Sequence, residues 1–138
     1  MLYLWQQKRK VVNAVYEYQS KKINNYFELK DIIRKATSYF VGSFTLEMLM
    51  RREEWENPET KTAFIESLHK EYFAWDERCT LTQTRNKVNC VIRIIESHMV
   101  EDAMRYIIDA NDKKLGIPEV KECAEDTLAR IEAGRLKY

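Results

Sequence analysis

Apolar residues recur along most of the chain at the spacing of three and four residues that marks one side of an α-helix. Six segments follow this pattern, and we predict a helix for each. They cover about residues 2–24, 27–41, 43–56, 58–77, 83–114 and 118–133. Long helices joined by short connections pack as antiparallel neighbours. The predicted fold is therefore all-α, a bundle of five or six mostly antiparallel helices that forms a single domain over residues 1–138.

Residues typical of helix ends separate these segments. Asn57, Pro58 and Glu59 combine a capping side chain, a proline suited to the first helical position and a carboxylate in the first turn. Gly42 is predicted to end the second helix in a left-handed conformation. Pro118 begins the last helix in the same way as Pro58 begins the fourth.

The fifth segment leaves one alternative open. It is either one helix to residue 114 or two helices that meet near Ser97 and His98. Its residues 90–95, Cys-Val-Ile-Arg-Ile-Ile, also have the β-branched composition of a strand. The helical spacing of the flanking apolar residues and the lack of a partner strand favour a helix.

Composition agrees with a small helical protein. Three glycines and two prolines among 138 residues are too few for the many turns of a β-sandwich or barrel. No apolar run approaches the roughly 20 residues that span a bilayer. The three cysteines are widely spaced and odd in number, which is typical of reduced thiols in the cytoplasm. We expect a cytoplasmic protein with no membrane partner.

Charge alternates between neighbouring segments although the net charge is only +1. Residues 1–35 contain eight basic and three acidic residues, whereas residues 36–77 contain four basic and nine acidic residues. Such alternation indicates complementarity within the chain as readily as a site for a partner.

Glu66 and His69 form the Glu-x-x-His spacing with which helical bundles bind paired metal ions. On a helix that advances about 100° per residue, Trp75 lies on the apolar face with Phe64, and His69 lies at its edge. Glu66 lies about 150° from the centre of that face, so it is predicted to point to solvent. The spacing is not repeated around His98, and we predict no metal and no other cofactor.

Nothing in the sequence points to catalysis. A nucleophile must lie beside a base that a third group orients, and the two histidines and three cysteines are scattered. Ser97 and His98 are adjacent, but neighbours on a helix point about 100° apart. Phosphate-binding loops are excluded by the isolated glycines. We therefore expect no enzyme and no small-molecule substrate.

Aromatic residues are concentrated in the first 75 positions, which hold fourteen of the sixteen. This excess indicates either a groove that receives a partner helix or a core with irregular space to fill. Trp5 and Trp55 lie near predicted helix ends, where we expect partial exposure.

We therefore predict a non-enzymatic interaction or regulatory module that binds another protein, or a second copy of itself, through an aromatic or apolar helix face. The alternative is a nucleic-acid-binding protein that uses the basic segment 8–35, since basic residues with interleaved aromatics can grip a phosphate backbone. The aromatic members of the predicted partner site are its anchors and the basic members its rim. The predicted partner-binding residues are Tyr3, Trp5, Lys8, Arg9, Lys10 and Trp55.

Overall fold

Seven helices and no strand make up the part of the chain that the computed structural model describes, residues 22–110 and 118–134. The prediction of an all-α fold is confirmed, and the helix count over these residues is above the predicted five or six. The first predicted helix lies outside the described residues except for positions 22–24, which are not helical. The helices are α1 (Tyr26–Ala36), α2 (Ser38–Met50), α3 (Arg52–Glu56), α4 (Pro58–Tyr72), α5 (Leu81–Glu96), α6 (Val100–Asp109) and α7 (Pro118–Glu132).

The segment predicted as the second helix is interrupted at Thr37 and does not end at Gly42. Thr37 has a φ of 78°, which ends α1, and its hydroxyl accepts a hydrogen bond from the backbone N–H of Phe40 at 3.2 Å to begin α2. The prediction that Gly42 ends a helix is wrong. Gly42 is buried inside α2, where a β-carbon would lie 2.6 Å from Cγ1 of Val120. The glycine is there because α7 approaches α2 closely, a reason that helix periodicity does not reveal.

The predicted start of α4 is confirmed. The side chain of Asn57 accepts a hydrogen bond from the N–H of Glu59 at 3.0 Å, and Pro58 takes the first helical position. The helix ends at Tyr72, five residues before the predicted end near residue 77. A turn follows, in which the N–H of Asp76 donates to the carbonyl of Phe73 at 3.1 Å.

The fifth predicted helix is divided into two, α5 and α6. This confirms the alternative in which the chain breaks near Ser97 and His98. His98 adopts a left-handed φ of 56°. The N–H of Met99 donates to the carbonyl of Ile94, and that of His98 to the carbonyl of Ile95. This pair of bonds is a Schellman motif, which ordinarily carries glycine at the left-handed position. The β-branched residues 90–95 are helical, as predicted.

The core contains apolar residues of all seven helices, with α7 packed on both α2 and α6, and α1 packed on α5. Phe40, Phe64, Ile94 and Ile107 are among its largest buried side chains. The chain enters this bundle at Ile23, whose N–H donates to the hydroxyl of Ser97 at 3.0 Å. Every helix among the described residues is too short or too polar to cross a lipid bilayer.

Candidate functional site

A cluster of aromatic rings fills the corner where the end of α4 meets the beginning of α2. Phe40 and Phe44 project from successive turns of α2, with ring centroids 4.9 Å apart. Phe73, the residue after α4, packs on both, at 6.0 Å from Phe40 and 5.4 Å from Phe44. Tyr72 meets Phe44 edge to face at 5.0 Å. Offset and edge-on geometries of this kind stabilise aromatic clusters beyond the area that they bury.

Two exposed aromatic residues are linked to this cluster, Tyr39 by a ring contact and Trp75 by a hydrogen bond to the backbone of Tyr72. Tyr39 packs edge-on against Phe44 at 6.4 Å and is 44% exposed. Trp75 is 80% exposed, and its indole N–H donates to the carbonyl of Tyr72 at 2.8 Å. Tyr39, Tyr72 and Trp75 are called the aromatic surface below.

The turn that carries Trp75 is well ordered by its own hydrogen bonds. The N–H of Cys79 donates to the carbonyl of Asp76 at 3.0 Å, and the N–H of Arg78 donates to the Asp76 carboxylate at 3.0 Å. The turn ends in a capping box: the Thr80 hydroxyl accepts from the N–H of Gln83 at 3.2 Å, and the Gln83 side chain accepts from the N–H of Thr80 at 3.0 Å. Trp75 thus lies in a hydrogen-bonded turn between α4 and α5.

Carboxylates border the aromatic surface. Partial burial raises the pKa of the Tyr72 hydroxyl, and the nearby negative charges of Glu47 and Glu71 raise it further. Glu71 adjoins Tyr72 in the chain and Glu77 follows Trp75 by two residues. Both are exposed, as are the basic residues Lys70 and Arg78.

Glu66 and His69 are placed as the helical geometry predicts. Glu66 is exposed, and His69 is half-buried at the boundary of the core. Nδ1 of His69 lies 2.8 Å from the hydroxyl of Thr84 on α5, and Sγ of Cys79 lies 3.7 Å from that same hydroxyl. The fold thus brings an imidazole and a thiol to one buried hydroxyl.

This group of side chains does not form a metal site. Within residues 22–110 and 118–134, no group of three His, Cys, Asp or Glu side chains is arranged to hold a metal ion. The three cysteines are half-buried thiols rather than disulfides. The hydrogen bond between His69 and Thr84 joins α4 to α5, and Cys79 contacts Thr84 from the turn between these helices.

The expectation that Trp55 is partly exposed is wrong. It is 3% exposed, and its indole N–H donates to the carbonyl of Met48 at 2.7 Å. The guanidinium of Arg52 lies over the ring at 5.7 Å. The chain bends at Arg51 between α2 and α3, and this bend folds Trp55 back onto the end of α2. An anchor needs a face that a partner can reach, so Trp55 is not part of the aromatic surface.

The remaining predicted partner-binding residues lie outside the described part of the chain. They are Tyr3, Trp5, Lys8, Arg9 and Lys10, and their role stays a prediction.

The acidic residues near α3 form local ion pairs. Arg51 contacts Glu47 at 3.1 Å and Glu54 at 2.5 Å, and Arg52 contacts Glu56 at 2.6 Å. The Arg51–Glu47 pair is partly buried, and in the other two pairs the glutamate is exposed. Ion pairs near the surface contribute little to stability.

Sequence reasoning missed Trp75 because it extended α4 too far. A helix to residue 77 puts Trp75 on the apolar face, whereas a helix that ends at Tyr72 leaves it outside the bundle. The acidic sequence Asp76-Glu77 directly after Trp75 is a signal that could have placed the end earlier, since negative charge is unfavourable at the carboxyl end of a helix.

A comparison of the chain with protein-family models, with characterised proteins and with solved structures found no match.

Proposed function

We propose that the chain is a non-enzymatic helical module that binds another protein through the aromatic surface. The observation that carries this proposal is Trp75, a large apolar side chain that is 80% exposed on an ordered turn. Tryptophan and tyrosine are the residues most enriched among those that dominate binding energy at protein interfaces. The aromatic surface contains both.

The hydrogen bond of Trp75 makes it suited to burial by a partner. Burying a polar group without a hydrogen bond is costly, but the indole N–H is already satisfied by the carbonyl of Tyr72. The remaining surface of the ring is apolar. Because the turn is fixed by the Asp76 hydrogen bonds and the capping box, docking requires little loss of backbone freedom.

The partner inferred from this chemistry presents apolar side chains with basic residues at their edge. Glu71 and Glu77 lie beside the exposed rings and are themselves exposed. Opposite charge at the rim of an interface speeds association and helps to select the partner. We place this interaction in the cytoplasm, where Cys79, Cys90 and Cys123 stay reduced.

The test is affinity purification from cell extract with three full-length tagged chains: wild type, Trp75→Ala and Phe27→Ala. Phe27 is a matched control because it is 78% exposed on α1 and lies outside the aromatic surface. We expect Trp75→Ala to reduce retention of the bound protein by at least about tenfold, the effect of losing a central anchor. Phe27→Ala should retain it at the wild-type level.

Circular dichroism of each variant should match the wild type, since both changed side chains are exposed. Equal retention by wild type and Trp75→Ala would refute the proposal, and so would an equal loss with Phe27→Ala. Salt distinguishes the nucleic-acid alternative, in which residues 8–35 contact phosphates. Binding through six or more phosphates weakens about a thousandfold between 50 and 200 mM salt, whereas binding through the aromatic surface should change little.

A further inference from the structure

A single hydroxyl group links an imidazole and a thiol where α4 and α5 meet. Thr84 is fully buried, and its hydroxyl lies 2.8 Å from Nδ1 of His69 and 3.7 Å from Sγ of Cys79. The three side chains come from three different elements. His69 belongs to the last turn of α4, Cys79 to the turn that follows, and Thr84 to the beginning of α5.

The hydroxyl of Thr84 is suited to pass a proton between its two neighbours. A hydroxyl donates one hydrogen and accepts through its lone pairs, and a neutral imidazole accepts at one ring nitrogen. Thr84 can therefore accept the hydrogen of the Cys79 thiol while it donates its own hydrogen to Nδ1 of His69. Sulfur, hydroxyl and imidazole form a continuous path for a proton from Cys79 to His69.

Cys123 provides a comparison within the same chain. Its thiol donates to the backbone carbonyl of Ser43 at 3.5 Å, and a carbonyl oxygen is not a base that takes up the proton. Burial raises the pKa of the Cys123 thiol. Both Cys79 and Cys123 are half-buried, so the difference between them lies in the group that receives the thiol hydrogen.

We propose that Cys79 is a modification site, a thiol that hydrogen peroxide oxidises to a sulfenic acid with His69 as the base. Sulfur attacks one oxygen of the peroxide and forms the S–O bond, while the O–O bond breaks and its electron pair stays on the departing oxygen. The thiol proton passes to Thr84, whose own proton passes to Nδ1 of His69. The departing hydroxide takes a proton from solvent and becomes water, and the imidazolium returns one to solvent.

The surroundings of Cys79 suit a small oxidant. Cys79 is half-buried, and its neighbours in the chain, Arg78 and Thr80, are exposed, so solvent reaches this turn. A sulfenic acid condenses with another thiol, which makes the modification reversible where thiols are kept reduced. The reaction changes the chain itself and requires no partner protein, so it is independent of binding through the aromatic surface.

Labelling with dimedone, which captures sulfenic acids, measures the reaction in the full-length chain. The reduced protein is mixed with hydrogen peroxide and dimedone at neutral pH, and peptide mass spectrometry follows Cys79 and Cys123 over time. A positioned base accelerates proton transfer by about a hundredfold or more, so we expect Cys79 to be labelled at least about tenfold faster than Cys123. Unfolding the chain in urea should abolish the difference, because only the fold brings His69 and Thr84 to Cys79.

Three variants test the path of the proton. Thr84→Val keeps a side chain of similar shape but removes the hydroxyl, and His69→Asn keeps a polar group that can bond to Thr84 but cannot take up a proton. Each should lower the labelling rate of Cys79 to about that of Cys123. Thr84→Ser retains the hydroxyl and should keep most of the wild-type rate.

The labelling rate of Cys123 in the same samples reports whether each variant keeps its fold, since local opening would raise that rate. His69→Asn decides the question if Thr84→Val opens the fold. Equal labelling of Cys79 and Cys123 in the folded wild type would overturn the proposal. Fast labelling of Cys79 that survives His69→Asn would overturn it as well, because the thiol would then react without the base.

Discussion

At the scale of single residues, two glycines are required for different physical reasons. Gly134 follows α7 with a φ of +72°, a conformation that L-residues with a β-carbon rarely adopt. No described atom lies within 4 Å of the place where its β-carbon would be. Gly42 lies inside a helix and is needed for space, since Val120 and Ile107 crowd the position of a β-carbon. Glycine is thus required by the backbone conformation at position 134 and by the close packing of α7 on α2 at position 42.

Gly42→Ala should lower the free energy of unfolding by about 1–2 kcal/mol. Overpacking costs about 1–3 kcal/mol, and the better helix propensity of alanine offsets up to about 1 kcal/mol of it. Val120 is β-branched and buried, so its Cγ1 cannot rotate away cheaply. Urea unfolding followed by circular dichroism measures the change.

The same substitution in a Val120→Ala protein tests whether crowding by Val120 causes the loss of stability. In a Val120→Ala chain the nearest clashing atom is absent, and Gly42→Ala should no longer destabilise the protein. Gly134→Ala should cost about 1 kcal/mol in either background, because its penalty belongs to the backbone. An undiminished cost of Gly42→Ala in the Val120→Ala background would contradict the packing explanation.

At the scale of elements, the start of α4 was predictable from its capping residue, whereas the start of α2 was not, although the Thr37 side chain caps it. Asn57 caps α4 by accepting a hydrogen bond from the N–H of Glu59, two positions away. A bond between such near neighbours can be predicted from the local sequence. The end of α5 uses a histidine in the left-handed position that glycine usually takes. The breaks at Thr37 and Arg51 divide segments that were each predicted as one helix, so the described residues form more helices than were predicted.

Thr80→Ala should lower the free energy of unfolding by about 1 kcal/mol, the typical value of an N-terminal cap. It removes the acceptor for the N–H of Gln83 and so breaks the capping box at the start of α5. Thr80→Ser keeps the hydroxyl and should restore most of the loss.

Thr82→Ala is the matched control for this cap, since Thr82 is exposed in the first turn of α5 and should change stability by less than about 0.5 kcal/mol. The measurement is the urea midpoint of all three variants at constant slope. Equal midpoints for Thr80→Ala and Thr82→Ala would mean that the capping box does not stabilise the helix.

At the scale of the whole molecule, the burial of two tryptophans is the reverse of what the sequence predicts. The sequence predicts Trp75 on a buried helix face and Trp55 partly exposed near a helix end. In the structure Trp55 is buried against α2, and Trp75 stands in solvent. The bend at Arg51 and the early end of α4 together produce this exchange, and they place the candidate site on the turn after α4.

Acrylamide quenching of tryptophan fluorescence should reveal this arrangement. In a Trp5→Phe, Trp55→Phe chain the remaining Trp75 should be strongly quenched, with an emission maximum typical of an indole in water. In a Trp5→Phe, Trp75→Phe chain the remaining Trp55 should emit at shorter wavelength and be quenched several-fold less. Similar quenching of the two chains would show that the burial of Trp55 does not exist in solution.

Charge complementarity is mostly local among the described residues. Lys35 pairs with Asp31 on α1, and Arg51 and Arg52 pair with glutamates three or four positions away. Arg105 and Glu132 form the pair that joins distant parts of the sequence, at 2.9 Å between α6 and α7. Lys35 thus pairs within residues 1–35, and Arg51 and Arg52 pair within residues 36–77, so these pairs do not test whether the oppositely charged segments contact each other.

The sequence by itself determined that the chain is helical, where α4 begins, that residues 90–95 are helical, and that Glu66 faces away from the core. These features depend on periodicity and on contacts between residues a few positions apart. Only the folded structure shows that Gly42 is a packing position and that Trp55 is buried whereas Trp75 is exposed. The first depends on how closely α2 and α7, which are far apart in the sequence, approach each other, and the second on the bend of the chain at Arg51. A pattern along one chain contains no measure of either.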